Sequence, residues 1–491
     1  VLLTLLRLFR AMPLTGWGVL ALLLLAVALT VLLRPTPRTT PAVWYASPTG
    51  QGTSCTETAP CRVADAWPRM QPGATLLLRD GVYRRSQGGA IDPPDTLAGT
   101  AEKPITVKAL NDGGVLIDAE HAGFAVFLQT GNDYWRIEGI NGTNGKEAIF
   151  RSRANHVRFV RLIAYEGTAG EADSLGISMS GPGIDQICID CAAWGSNMRK
   201  LYEFSQSQAP GQDMQGSGCR RCWGEWNDHP DGMSKPNLTY QGGYRSRGQI
   251  WENIIGTWRQ TGSVGDSEGI IRLFYACPEA NPAAYLQVLG SLFYLSNTQP
   301  PSNVTQLATA DCGAHMTFRD TAAIVESNHA GVKPFMFRNN DDVTPDANNV
   351  CERCVGVSST PSVNHEGSGW SMPGYREGRT LAEAMGGANV YEALPGLCSR
   401  YEGGVLTSQG LYPWPMNDRI KAARRASGAP EVDVTATVEQ LLGPIPSACK
   451  TTAPVPPDPQ PPQPGTMTCT GVLASIPGSV ILTCQSQETR R

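Results

Sequence analysis

VRFVRLIAY (157–165), ICIDCAAW (187–194), CRRCWGEW (219–226), WENIIGTW (251–258), LQVLGSLFY (286–294), MTFRDTAAIV (316–325) and VCERCVGV (350–357) are strand-sized variants of one theme. Anchored on Leu162, Cys191, Cys222, Ile254, Ser291, Thr321 and Cys354, they advance by 29, 31, 32, 37, 30 and 33 residues. A period near 30 with short strands and Gly/Asn turns is the mark of a solenoid. A single coil cannot bury its apolar face alone. Stacked coils bury it jointly, with backbone ladders running along the axis. Heptads are absent, and the helical-repeat patterns do not fit. The expected class is all-β, a right-handed parallel β-helix over residues 43–370.

Composition agrees. The 491 residues are 41% hydrophobic and 17% charged, with 53 Gly and 37 Pro, which fits a turn-rich β protein rather than a disordered or coiled-coil one. A net charge of −4 implies no general attraction to nucleic acid. No P-loop, dinucleotide fingerprint, HExxH or nucleophile elbow is found.

Outward from the repeats, the N-terminus carries an uncharged run, Ala11 to Leu33, with GWGVLALLLLAVALTVLL at its heart. At the helical rise it reaches roughly 34 Å, enough to span a bilayer core. Arginines flank both sides, so charge does not orient it. The 14 cysteines do: they read as disulfides, which places the bulk of the chain in an oxidising compartment. Residues 1–34 are therefore expected to be a transmembrane helix anchoring the chain through residues 11–33. A cleaved signal peptide is the rival reading, with secretion as its outcome. Residues 35–42 form a Pro/Thr linker. Beyond the β-helix, residues 371–450 have helical spacing in RTLAEAMGGANVYEAL, MNDRIKAARRASG and TATVEQLL, with Thr435 as N-cap of the last. They are expected to cap the last coil, since open β edges need covering. A Pro-rich linker follows at 451–465. Residues 466–491 read as a small β-hairpin closed by Cys469 and Cys484.

The opening after the linker adds a resemblance. WYASPTGQGTSC, APC, QPGATLLLRDGVYR and PITVKALNDGGVLIDA, within residues 43–120, resemble the first coil of the pectate-lyase-like right-handed parallel β-helix superfamily. That superfamily includes polysaccharide lyases. The resemblance implies the fold and a polysaccharide partner, with β-elimination of uronate polymers as the chemistry: a base removes the proton beside a carboxylate that Ca²⁺ or a cationic side chain neutralises. The catalytic motif of no one lyase family is matched.

Candidate residues cluster after the third repeat. Asp228 and Asp231 are hard oxygen ligands for Ca²⁺. His229 or Lys235 is the candidate base. Arg245 and Arg247 are placed to fork onto carboxylates. Trp194, Trp226 and Trp258, with Arg259, form a candidate row for stacking on sugar rings. Each has a plainer reading: DHPDG is an ordinary turn, stacked aromatics are common core ladders, and alternating arginines face solvent. Cys55 and Cys61 bracket a loop. Cys188-x-x-Cys191 and Cys219-x-x-Cys222 lie one coil apart, as cross-coil disulfides or as a zinc set. Cys277 and Cys312 also fit one coil apart, while Cys351, Cys354, Cys398 and Cys449 are expected to tie the last coil to the cap. Two functions follow. One is a membrane-tethered polysaccharide lyase. The other is a non-catalytic glycan-binding or structural surface β-helix, open to self-association.

Overall fold

The computed structural model describes residues 42–168, 174–181, 183–195, 197–205, 214–227, 238–242, 246–260, 269–274, 285–297, 306–311, 315–327, 332–338, 348–361, 364–366 and 370–451. The expected membrane segment, nearly all of the expected Pro-rich linker, the expected terminal hairpin with Cys469 and Cys484, and Cys277 and Cys312 lie outside them. Val43–Arg491 separates from Val1–Ala42 as its own unit.

Among the described residues, three long sheets of twelve, eleven and nine strands run side by side, and every neighbour within them is parallel and about one coil away in sequence. This is a parallel β-helix. Successive strands of a coil visit the first sheet, the second and the third before the chain returns to the first. In-register pairing stacks like positions on the inside. Leu76, Val107, Ile137, Phe159, Cys188, Cys219, Trp251, Val288, Phe318 and Cys351 form one continuous inward file in the first sheet, all fully buried. At roughly 25 cal/mol per Å² of apolar surface, such files supply most of the driving force for stacking.

The turn from the first sheet into the second is made by one residue in the left-handed region. Arg161, Asp190, Arg221, Asn253, Asp320 and Arg353 have φ between 49° and 54°, and Gly139, Gly290 and Gly374 complete the series. Each non-glycine there costs about 1–2 kcal/mol. A second ladder of hydrogen bonds offsets this: the corner N–H donates to the carbonyl just before the next corner, from Arg161 to Ile189 at 2.9 Å, Asp190 to Arg220 at 2.9 Å and Arg221 to Glu252 at 2.8 Å. The residues immediately after seven of these corners are Leu162, Cys191, Cys222, Ile254, Ser291, Thr321 and Cys354, all wholly buried. The sequence repeat is thus anchored, residue for residue, on the first inward side chain after each corner.

The C-terminal segment departs from expectation. Strands Trp370–Ser371 and Arg376–Gly378 still belong to the β-helix. Helices Leu381–Met385, Val390–Ala393, Asn417–Ser427 and Val434–Leu442 follow. Asp433, not Thr435, caps the last one; the Thr435 hydroxyl instead accepts from the Trp414 N–H. Rather than covering only the last coil, the segment doubles back along the outside of the second sheet. Its Met385, Tyr391, Leu397, Trp414, Ile420, Val434 and Val438 pack on the outward file Ile163, Ala192, Trp223, Ile255, Leu292, Ala322 and Val355. The reason is written in these strands, which are apolar on both faces and so need two covers.

The corner residues fasten the segment. Asn253 Nδ2 donates to the carbonyls of Gly396 and Ser399 at 2.7 and 3.1 Å, and its Oδ1 accepts from the Tyr401 N–H at 2.6 Å. The Tyr401 hydroxyl donates to Asp320 at 2.6 Å. At the next corner the contact is backbone on backbone: a Cβ on Gly290 would lie 2.5 Å from the Gly396 oxygen. Cys398–Cys449 closes the segment on itself, and Cys351–Cys354 closes within its own coil, so neither pair ties coil to cap as anticipated.

Asn253→Gly keeps the left-handed turn and deletes four side-chain hydrogen bonds, three of them buried. It is expected to cost about 2–3 kcal/mol in urea unfolding. Asn253→Ala should lose about 1 kcal/mol more, from the strained φ.

Candidate binding groove

The outward face of the first sheet forms the floor of an open groove of about 1100 Å³. Period-two alternation sends every second side chain of these strands outward. Two files result in register: Thr106, Arg136 and Arg158, then Lys108, Glu138, Val160, Ile189 and Arg220. One wall is the corner entering the first sheet, with Tyr134 and His156. The other wall is the corner leaving it, with Arg161, Asp190 and Arg221, heightened by the antiparallel pair Ser399–Glu402 and Val405–Gly410 of the C-terminal segment. Lys108 and six arginines (136, 158, 161, 220, 221 and 400) line the groove against Asp112, Glu138, Asp190 and Glu402. The lining is therefore cationic in a chain that is acidic overall.

At the first wall His156 sits at φ 55°, its ring stacked on Tyr134 at 4.4 Å and 13°. Asp185 holds both neighbouring groups. One of its oxygens meets His156 Nδ1 at 3.1 Å, and the two together take Arg158 Nη2 at 2.9 and 2.8 Å. Arg158 Nη1 donates to the Asp185 carbonyl at 2.6 Å. With Nδ1 engaged by a carboxylate, the imidazole is oriented and Nε2 is the nitrogen left for proton transfer. Arg136 stands beside Arg158 one strand away, joined to Glu138 at 2.8 Å.

At the opposite wall Arg221 bridges Asp190, at 2.6 Å, and Glu402. Arg220 meets Glu252 at 2.7 Å and Glu402 at 3.3 Å. Burial pushes the Glu252 carboxyl up, against the opposing pull of Arg220 and the Gly404 N–H. Arg400 is only 2% exposed; its Nε donates to the Gly410 carbonyl at 3.0 Å, and its Nη2 has no hydrogen-bond partner among the described residues. Burial, and then Arg221, lower its pKa from the usual arginine value.

The residues singled out from sequence are placed otherwise. Asp228, His229, Asp231, Lys235 and Arg245 lie outside the described residues. Arg247 is exposed on the short strand Ser246–Arg247, just before the first sheet. Arg259 is exposed at the far end of a second-sheet strand, beside a small cavity shared with Glu431 and Asp433. The tryptophan row is corrected. Trp226 and Trp258 are wholly buried in the interior with centroids 5.1 Å apart, and the Trp226 indole donates to the Met198 carbonyl at 2.9 Å. Trp194 pairs with Glu225, one residue out of step, so it faces the other way. It lies buried beneath Arg424, whose guanidinium sits 5.4 Å from its ring and 2.5 Å from Glu225. None of the three is a sugar platform.

The cysteine pairing is corrected as well. Cys55–Cys61 is bonded as the loop suggested, but Cys219 bonds to Cys222 across its own corner, not to the neighbouring coil. Cys188 and Cys191 are buried thiols. The sulfurs of Cys188, Cys219 and Cys222 lie within 4.8 Å of one another. With two of them joined, they do not make a zinc set. The groove residues that sequence reading passed over did carry a signal: WRIE (135–138) and VRFVR (157–161), one coil apart, and CRRC (219–222), two coils further on, put arginines at outward or corner positions.

No family model matches the chain, and no curated protein matches it. Among solved structures, an alginate lyase from Paenibacillus aligns over 68% of this chain and 99% of its own, at 13% identity and TM-score 0.43. A pectate lyase aligns over 69% and 80%, at 15% identity and 0.39, and a rhamnogalacturonan lyase over 67% and 87%, at 13% and 0.41. These likenesses concern fold only; the β-helix stands on this chain's own strand order.

Asp185→Asn removes the charge that Arg158 grips and loosens the His156 ring. Both partners are partly exposed, so the stability cost is expected at about 1 kcal/mol by urea unfolding.

Proposed function

We propose that this chain is an exported, carbohydrate-acting β-helix protein that takes an acidic polysaccharide along the first sheet and cleaves it by β-elimination. The observation that carries the reading is the grouping of an oriented imidazole, His156, with the in-register pair Arg136 and Arg158 on the floor and wall of an open cationic groove. In this reading a guanidinium pairs with the uronate carboxylate and acidifies the adjacent C–H. His156 Nε2 takes that proton, the electron pair forms a C=C bond, and the C4–O bond to the leaving sugar breaks. The leaving oxygen is protonated by solvent or by the imidazolium. Right-handed winding belongs to the same reading, since parallel crossovers take that sense almost without exception. So do the membrane anchor at 11–33 and a calcium ion on Asp228 and Asp231.

A second reading has its own support. Arg136, Arg158, Arg220 and Arg221 already face carboxylates of the chain, so the groove also suits a glycan-binding surface without turnover.

The deciding test is absorbance near 235 nm, which reports the conjugated C=C, with the purified full chain on a panel of uronate polymers, with Ca²⁺ and with chelator. Cleavage is expected, and His156→Ala or Arg158→Ala should lower kcat at least about 100-fold. Loss confined to Lys235→Ala or Arg245→Ala would move the chemistry to residues 228–247. Polymer retention in affinity electrophoresis without any absorbance rise would establish the binding reading.

A further inference from the structure

Three C-x-x-C motifs occupy equivalent corners of the β-helix. In each, the first cysteine points inward from the first sheet and the second is the first inward residue after the turn. Between them stand Ile189-Asp190, Arg220-Arg221 and Glu352-Arg353. The left-handed residues of the three turns, Asp190, Arg221 and Arg353, have φ of 52°, 52° and 51°. In two of the three the sulfurs are joined, with Cα atoms 6.2 and 6.0 Å apart. The third, Cys188 and Cys191, has the same backbone and the same wholly buried setting, and its two sulfurs are in side-chain contact. Burial and the neighbouring Cys191 push the Cys188 thiol up, which disfavours the thiolate a metal would need.

We propose that Cys188 and Cys191 close as a third corner disulfide, stacked directly on Cys219–Cys222, and that this pair of bonds fixes one wall of the groove. The step converts two thiols to one S–S bond, releasing two protons and passing two electrons to an external small-molecule disulfide, which is reduced to two thiols. It takes place before the coil closes, because afterwards the sulfurs meet no oxidant. The residues held between the bonded sulfurs are the ones that face the groove: Ile189, Asp190, Arg220 and Arg221 all line it, and Arg221 ties Asp190 to Glu402. A corner clamped from inside holds these groups in place for a ligand outside. The proposal needs an oxidising compartment and is independent of which polymer the groove takes.

The test maps the bonds in the full chain, prepared without reductant and alkylated in denaturant. Trypsin releases residues 162–199, with both cysteines in one peptide. The expected peptide is unalkylated and two hydrogens lighter than the dithiol. Cutting before Asp190 leaves its halves joined until reductant is added. Alkylated Cys188 and Cys191, a link from either to Cys219 or Cys222, or a stoichiometric bound metal released by thiol reagents would each overturn it. The effect on the groove wall is read by amide hydrogen exchange in Cys188→Ala/Cys191→Ala. Exchange at Asp190 and Arg221 should rise about tenfold, with the Cys351–Cys354 corner as unchanged internal reference. Equal exchange in both proteins would overturn the wall-fixing role.

Discussion

The corner between the first and second sheets is the constraint on which the rest of the molecule depends. A parallel β-helix must change direction sharply within one residue and repeat that turn in every coil. Here the left-handed conformation does so, even at arginine, aspartate and asparagine, and the hydrogen bond from each corner to the next makes the strain tolerable. Using functional side chains rather than glycine at these positions has a structural return. The corner file becomes a row of donors and acceptors, and one end of it builds the groove wall while the other fastens the C-terminal segment.

The second sheet sets the other demand. Its strands are apolar inside and outside, so a single core does not satisfy it. The C-terminal segment supplies the missing layer and brings with it the Arg424–Glu225 pair, buried between two tryptophans and a helix. A pair of this kind adds little net stability and much selectivity of seating, because either partner alone would be a buried unpaired charge. The same segment contributes Arg400 and Glu402 to the groove, so the cover of one sheet forms a wall on the face of another.

Much of this was legible in the sequence, for identifiable reasons. The coil repeat could be read because the residue after each corner is always inward and mostly apolar or small, which gives a period that insertions in the loops do not blur. The helices of the C-terminal segment were visible by spacing, but not their destination. Doubly apolar strands such as IAY and AAW were the clue, and they look the same as strands facing a core on one side only. The tryptophan row failed because alternation has a period of two: Trp194 is one residue out of step with Trp226 and Trp258, which inverts its face. The groove was missed because its charges are spread thinly, one or two per coil, and converge only once coils stack. The cluster around Asp228 is dense in sequence and lies outside the described residues.

The doubling-back of the C-terminal segment has a consequence for the order of assembly. Arg419 grips Asp112 across a separation of 307 residues. A solenoid can grow coil by coil as its chain emerges, since each coil needs only its neighbour. This one cannot be finished that way. From the first coils onward, the outward stripe of the second sheet stays bare until the segment after the last coil has been made and folded back along it. During that interval the nascent solenoid presents a long apolar strip to its surroundings, the condition under which chains associate with one another instead of with themselves. The docking of that segment is thus the step that ends the hazard.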